Sequence, residues 1–94
     1  MIVVGKKCIQ EFIKGHSDAK SQLIAWLSEA EEVIWETTQD IKDRYSSASF
    51  LSGNRVVFNI KGNSYRLLIK INFQQGTVLV EKIGTHAEYS KWNL

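Results

Sequence analysis

The residues of this 94-residue chain whose types and spacing could do chemistry lie between Arg55 and Tyr89. Arg55, Asn59, Arg66 and Lys70 fall on the parity opposite to the apolar residues in two alternating segments. Successive side chains of a strand point to opposite faces, so one face gathers cations and an amide while the other stays apolar. Arg66 and Lys70 are four residues apart, roughly 13 Å at strand rise, enough to reach successive phosphates. A guanidinium forks around phosphate oxygens and is always charged, which suits a phosphorane-like transition state. Asn59 beside Arg66 can bond a phosphate oxygen or a base edge, and Val57 and Leu68 offer apolar area for a base. Lys61, at the end of the first segment, joins Arg55, Asn59 and Lys70 in the candidate RNA-binding set. Cleaving RNA also requires a group to take the 2′-hydroxyl proton and another to protonate the leaving oxygen. An imidazole titrates near neutral pH, and His86 is the natural choice for one of these roles. Tyr89 follows one helical turn later if 87–91 is helical, and could orient a base or share in proton transfer. Two plainer readings stand beside this one: His86 as a structural hydrogen-bonding residue, and the face as a binder of single-stranded nucleic acid that does not cut.

The elements that must position these groups are two hairpins. Val56, Phe58 and Ile60 alternate with Arg55, Val57, Asn59 and Lys61. Tyr65, Leu67, Ile69, Ile71 and Phe73 alternate with Arg66, Leu68, Lys70 and Asn72. Gly62-Asn63 between them signals a tight turn. Pairing Lys61 with Ser64 sets Ile60 opposite Tyr65, Phe58 opposite Leu67 and Val56 opposite Ile69. On the other face it sets Asn59 opposite Arg66 and Arg55 opposite Lys70. A one-residue slip would mix the faces, so this register is well specified. The like charges of Arg55 and Lys70 cost stability unless an anion lies between them. A second turn at Gln75-Gly76, with Gln74 opposite Thr77, predicts Phe73 opposite Val78, Ile71 opposite Val80 and Lys70 opposite Glu81. That ion pair would leave Lys70 a phosphate contact rather than a catalyst.

Upstream lies the packing layer. Met1–Gly5 reads as a first strand, followed by a helix over 6–14 in which Cys8, Ile9, Phe12 and Ile13 share a face. Gly15 is the expected left-handed end of that helix, His16 an exposed loop residue, and Ser17 the cap of a second helix. Ala19, Leu23, Trp26, Leu27, Ala30 and Ile34 form its apolar stripe. Thr37 and Asp40 have capping-box spacing for a short third helix through Arg44, anchored by Ile41. Tyr45–Asn54 reads as a loop that turns at Gly53-Asn54, with Phe50 and Leu51 tucked against the core.

Composition bounds the class. With 44% hydrophobic and 23% charged residues, the chain is that of an ordinary soluble protein, and residues 1–94 suit one domain. No apolar run approaches the roughly 18 residues of a membrane span, and the single Cys8 leaves no intramolecular disulfide and no thiolate cluster. There is no Gly-rich phosphate loop, no metal-ligand spacing and no Ser/His/Asp pattern. A cytoplasmic location is expected. Net charge is only +2, but residues 1–53 hold six Lys/Arg against eight Asp/Glu, and residues 54–94 hold six against two. A basic sheet half beside a mildly acidic helical half favours a polyanionic ligand.

Several of these residues also carry a resemblance. Arg55-Val56-Val57-Phe58-Asn59-Ile60, Gly62-Asn63, Tyr65-Arg66-Leu67 and Gly84-Thr85-His86-Ala87-Glu88-Tyr89 resemble the signature of HigB-type toxins of bacterial toxin–antitoxin pairs. The likeness extends upstream through Ala25-Trp26, the segment 35–41 and Ser47-Ala48-Ser49-Phe50. It implies an α+β, RelE-like fold: two N-terminal helices and a short third on one face of a twisted, mainly antiparallel sheet of about four strands. The implied activity is metal-independent, cofactor-free cleavage of mRNA on the translating ribosome, restrained by a HigA-like helix-turn-helix antitoxin. Asn59, Arg66, His86, Glu88 and Tyr89 match family motif positions, and Arg66, His86 and Tyr89 are the expected catalytic set. Ser90 stands where the family pattern has Asp.

Overall fold

The hairpin signalled by Gly62-Asn63 forms with the expected register in the computed structural model, which describes residues 1–94. Strands β3 (Arg55–Ile60) and β4 (Tyr65–Asn72) pair Asn59 with Arg66, Arg55 with Lys70 and Phe58 with Leu67. The loop closes through Ser64 N–H donating to the Lys61 carbonyl at 3.1 Å. Lys61 and Gly62 both take positive φ, 51° and 63°. That conformation is easy for Gly62 and sterically disfavoured for Lys61.

The next pairing differs from expectation by two residues. Strand β5 (Thr77–Thr85) sets Ile71 opposite Val78 and Asn72 opposite Thr77, so Lys70 faces Leu79 rather than Glu81. The turn spans Phe73–Gly76 instead of two residues. A two-residue slip leaves every side chain on its own face, so hydrophobic alternation cannot detect it. The register then shifts at Leu68/Ile69, where Ile69 pairs with Val80 and Leu68 with Lys82. Glu81 is the extra residue of this bulge.

Two further strands complete a five-stranded mixed sheet in the order β1-β5-β4-β3-β2, in place of the four or so expected. Strand β1 (Ile2–Val4) lies parallel to β5, and β2 (Ser49–Leu51) pairs with β3 inside the stretch read as a loop. Three residues are too few to show a period; pairing of Phe50 with Val56 is what makes them a strand.

Helices α1 (Lys6–Gly15), α2 (Lys20–Glu32) and α3 (Thr38–Arg44) cover one face. Ile9, Leu23, Trp26 and Ile41 meet Phe58, Leu67, Ile69 and Val78 there in one continuous core. Each such fully buried side chain contributes roughly 1.5–3 kcal/mol of transfer free energy. Cys8 is half-buried against this core, and desolvation pushes its thiol pKa up, which suits a packing role. The Thr37–Asp40 capping box is present.

Three local expectations fail. Gly15 stays helical, and the left-handed residue is Gly5, at φ 91°, where a Cβ would come 2.9 Å from the Val80 carbonyl oxygen. Ser17 opens a 3₁₀ turn (Ser17–Ala19) without a side-chain cap, and α2 begins only after it. Since α2 ends at Glu32 and Val33 is extended, Ile34 leaves the stripe and is exposed. A fourth helix, α4 (His86–Tyr89), packs on the opposite face of the sheet from the other three. No helix is long and apolar enough to cross a membrane.

Candidate RNA-binding face

Arg66 is the one charged residue in the buried set, at 8% exposure. Its Nη1 donates to the Asn63 carbonyl at 2.9 Å and the Tyr65 carbonyl at 3.3 Å, and its guanidinium lies 5.1 Å from the Tyr89 ring centroid. Ile71 N–H bonds the Asn54 carbonyl, so hydrogen-bonded pairs fall on the even residues of β3. Asn59 and Arg66 are therefore a non-hydrogen-bonded pair, the kind whose side chains approach most closely. On its other side Arg66 faces Gly84. Asn59, Arg66 and Gly84 form one row across three strands.

Gly84 is where close approach requires the missing side chain. A Cβ there would meet Trp92 Cζ2 at 3.0 Å and Glu88 Cβ at 3.2 Å. Over this gap the chain folds back across the basic face. Trp92 stacks edge-on with Tyr89 at 5.5 Å and lies under Lys82 Nζ at 5.6 Å, and the Leu94 carbonyl accepts from Arg55 Nη2 at 3.1 Å. The segment thus runs from β5 past β4 to β3. Val57 and Leu68, expected as an open platform for a base, are 1% and 2% exposed. The C-terminal residues lie on this same face, against Gly84 and Arg55.

His86 stands at the first position of α4 with its imidazole exposed. Its backbone N–H bonds the Ser64 carbonyl at 3.0 Å, tying the helix to the β3–β4 loop. A second capping box holds the helix start. Thr85 N–H donates to Glu88 Oε1 at 2.8 Å, and Glu88 N–H donates to Thr85 Oγ1 at 3.2 Å. The Thr85 backbone bond, then its hydroxyl, then nearby His16 and Lys91 hold the Glu88 carboxyl below its ordinary range. Ser90 closes the helix by donating its hydroxyl to the His86 carbonyl at 3.0 Å, which an ionised Asp at that place could not do.

The remaining site residues are dispersed. Lys70 is exposed and lines a groove of about 560 Å³ with Asn54, Asn72 and Thr77, toward the far end of the sheet from His86. Arg55 is half-buried and also donates to the Ser52 carbonyl at 3.0 Å. Lys61 is drawn away from the row: its Nζ pairs with Asp18 Oδ2 at 3.0 Å, beside the Tyr65 hydroxyl bonded to Asp18 Oδ1 at 2.6 Å.

His16 was missed as a neighbour of the site. It is half-buried, stacked on Phe12 at 3.9 Å and edge-on to Tyr65 at 5.4 Å, at the same end of the sheet as α4. The four-residue spacing of Phe12 and His16 on a helix was the available signal. Trp92 was missed too, because nothing local in the sequence tells which face a tail will cover.

No group of three or more His, Cys, Asp and Glu side chains is clustered as a metal site would need. No curated protein matches the chain. The sequence model of the HigB toxin family, described as the RelE-like toxic component of a toxin–antitoxin system, matches residues 19–92. That span carries the Asn59–Arg66–Gly84 row, His86 and Tyr89, and by it this chain belongs to the HigB toxin family.

Proposed function

We propose that this toxin is an endoribonuclease that cleaves mRNA on the translating ribosome through the row of Asn59, Arg66 and Gly84 and the adjoining His86. The observation that carries the reading is placement. His86 follows Gly84 by two residues, roughly 7 Å at strand rise, at the end of the strand that borders Arg66. In the proposed step the 2′-oxygen bonds to phosphorus, the bond from phosphorus to the 5′-oxygen breaks, and a 2′,3′-cyclic phosphate results. The 2′-hydroxyl proton leaves to a base and the 5′-oxygen gains one from an acid. His86 serves in one of these roles and Arg66 balances the charge growing on the phosphoryl oxygens. Tyr89 holds Arg66 through its ring face. Lys70 and Arg55 bind flanking phosphates, and Lys61 reaches RNA only by leaving Asp18. The chemistry uses side chains alone. An antitoxin partner follows from the family, and its helix-turn-helix, HigA-like type, like the toxin's cytoplasmic location, is part of the same proposal.

The test is induction of wild type, Arg66→Ala and His86→Gln in bacteria, with mRNA 5′ ends mapped. Wild type should arrest growth and create ends at defined positions in codons. Each variant should lose about 10²-fold or more of the cleavage. Growth arrest with intact mRNA would instead identify a non-cutting blocker of translation, a reading that the burial of Arg66 favours.

A further inference from the structure

The platform for a base expected at Val57 and Leu68 is closed, but another aromatic surface stands beside the row of Asn59, Arg66 and Gly84. Trp26 and Trp35 are 2% and 4% exposed, and Trp92 alone of the three tryptophans is only half-buried. It lies against Gly84, where a Cβ would meet its Cζ2 at 3.0 Å, and its ring is edge-on to Tyr89 at 5.5 Å. The Lys82 ammonium lies 5.6 Å from the Trp92 centroid, and the Arg66 guanidinium 5.1 Å from that of Tyr89. Arg66, Tyr89, Trp92 and Lys82 thus make a run of cation, ring, ring and cation beside Gly84. Cations interleaved with rings are what single-stranded nucleic acid binds, phosphates on the one and base faces on the other. The segment is fixed ahead of any ligand. Trp92 N–H donates to the Tyr89 carbonyl and Lys91 N–H to the Glu88 carbonyl, both at 3.0 Å.

Lys82 is exposed and takes part in none of the four ion pairs of the chain. It stands two residues before Gly84 on β5, roughly 7 Å at strand rise, about one step between neighbouring phosphates of an extended strand. Arg66 faces Gly84 and Leu68 faces Lys82, so the two cations belong to successive outward positions of the sheet. A phosphate held at Arg66 therefore leaves the next one near Lys82, with a base in reach of the Trp92 ring.

We propose that Trp92 and Lys82 form a nucleotide subsite beside the Asn59–Arg66–Gly84 row, in which Trp92 stacks one unpaired base of the RNA and Lys82 takes the adjoining phosphate. The inference rests on the reading of this face as an RNA-binding one and adds the nucleobase as a recognised group. An anchor for the tail would need only the part of the indole that faces the sheet. The exposed part, with an unpaired ammonium beside it, is what a stacked nucleotide uses.

The test is titration of the ¹⁵N-labelled full chain with a short 2′-O-methyl adenosine strand and with its abasic counterpart of equal charge, up to millimolar concentration. Neither strand has the 2′-hydroxyl that cleavage needs, so a chain that binds without cutting gives the same answer. Failure of the subsite likewise leaves the mapped mRNA ends of the cleavage test unchanged. The adenosine strand should bind about fivefold or more tightly than the abasic one. It should move the Trp92 indole proton upfield while those of Trp26 and Trp35 stay in place. Trp92→Leu should bind the two strands within about twofold of each other. Lys82→Ala should weaken both alike, by about threefold or more. Should Trp92→Leu lose its native amide spectrum, the wild-type comparison and Lys82→Ala decide. Equal binding of the two strands by wild type, a Trp92 indole signal that stays in place, no binding of either strand, a base preference that survives in Trp92→Leu, or wild-type affinity in Lys82→Ala overturns the proposal.

Discussion

The Arg66 guanidinium sits 5.1 Å from the centroid of the Tyr89 ring while donating to the Asn63 carbonyl at 2.9 Å. The ring and the loop carbonyl hold the fork from two sides, so the charge is placed before any substrate arrives. Tyr89→Phe keeps the ring face and should retain cleavage within about threefold, whereas Tyr89→Ala should lose about tenfold or more. Single-turnover cleavage of a model mRNA on purified ribosomes measures both. A Tyr89→Phe loss as deep as that of Tyr89→Ala would assign the hydroxyl a direct part in proton transfer.

Lys70 and Lys61 should separate in RNA affinity. Lys70 is exposed with Leu79, not a carboxylate, across from it, while Lys61 is engaged by Asp18. Lys70→Ala should weaken binding and lower the slope of log K against log salt by about one unit. Lys61→Ala should leave the slope nearly unchanged. Fluorescence anisotropy with a short labelled RNA across a salt series gives both slopes.

The C-terminal fold-back depends on the hydrogen at Gly84. A methyl there meets Trp92 at 3.0 Å and Glu88 at 3.2 Å, so Gly84→Ala should cost about 1–3 kcal/mol and release Trp92 to solvent. Urea unfolding and Trp emission report the two effects. Gly15→Ala is the matched control: it meets nothing within 4 Å inside a helix and should stabilise by about 0.5–1 kcal/mol.

The Tyr65–Asp18–Lys61 network predicts a pH window. The Tyr65 hydroxyl, then Lys61, lower the Asp18 pKa, so its contribution is present above the unfolded carboxylate value, about 3.9, and lost as pH falls through the folded one. Tyr65 is shifted the other way, first by its bond to Asp18. Its contribution is therefore complete below about pH 10 and lost as pH rises through the raised value. The difference in urea midpoint between wild type and Tyr65→Phe should be flat from about pH 5 to 9 and narrow on both sides. A difference independent of pH would show that packing, not the hydrogen bond, carries it.

The sequence by itself determined the hairpin of β3 and β4, the Asn59–Arg66 pair, the helix capping box at Thr37 and the basic side of the sheet. All of these rest on local rules: period two, period 3.6, turn glycines and capping spacing, each decided within a dozen residues. Tertiary structure alone decided the pairing of β4 with β5, where a two-residue slip changes no side chain's face and frees Lys70 from Glu81. It also decided that the chain beyond Tyr89 folds back to Gly84 and Arg55, and that Lys61 belongs to Asp18. The fold-back and the Lys61–Asp18 pair join segments tens of residues apart, where only packing in three dimensions compares alternatives of equal local merit.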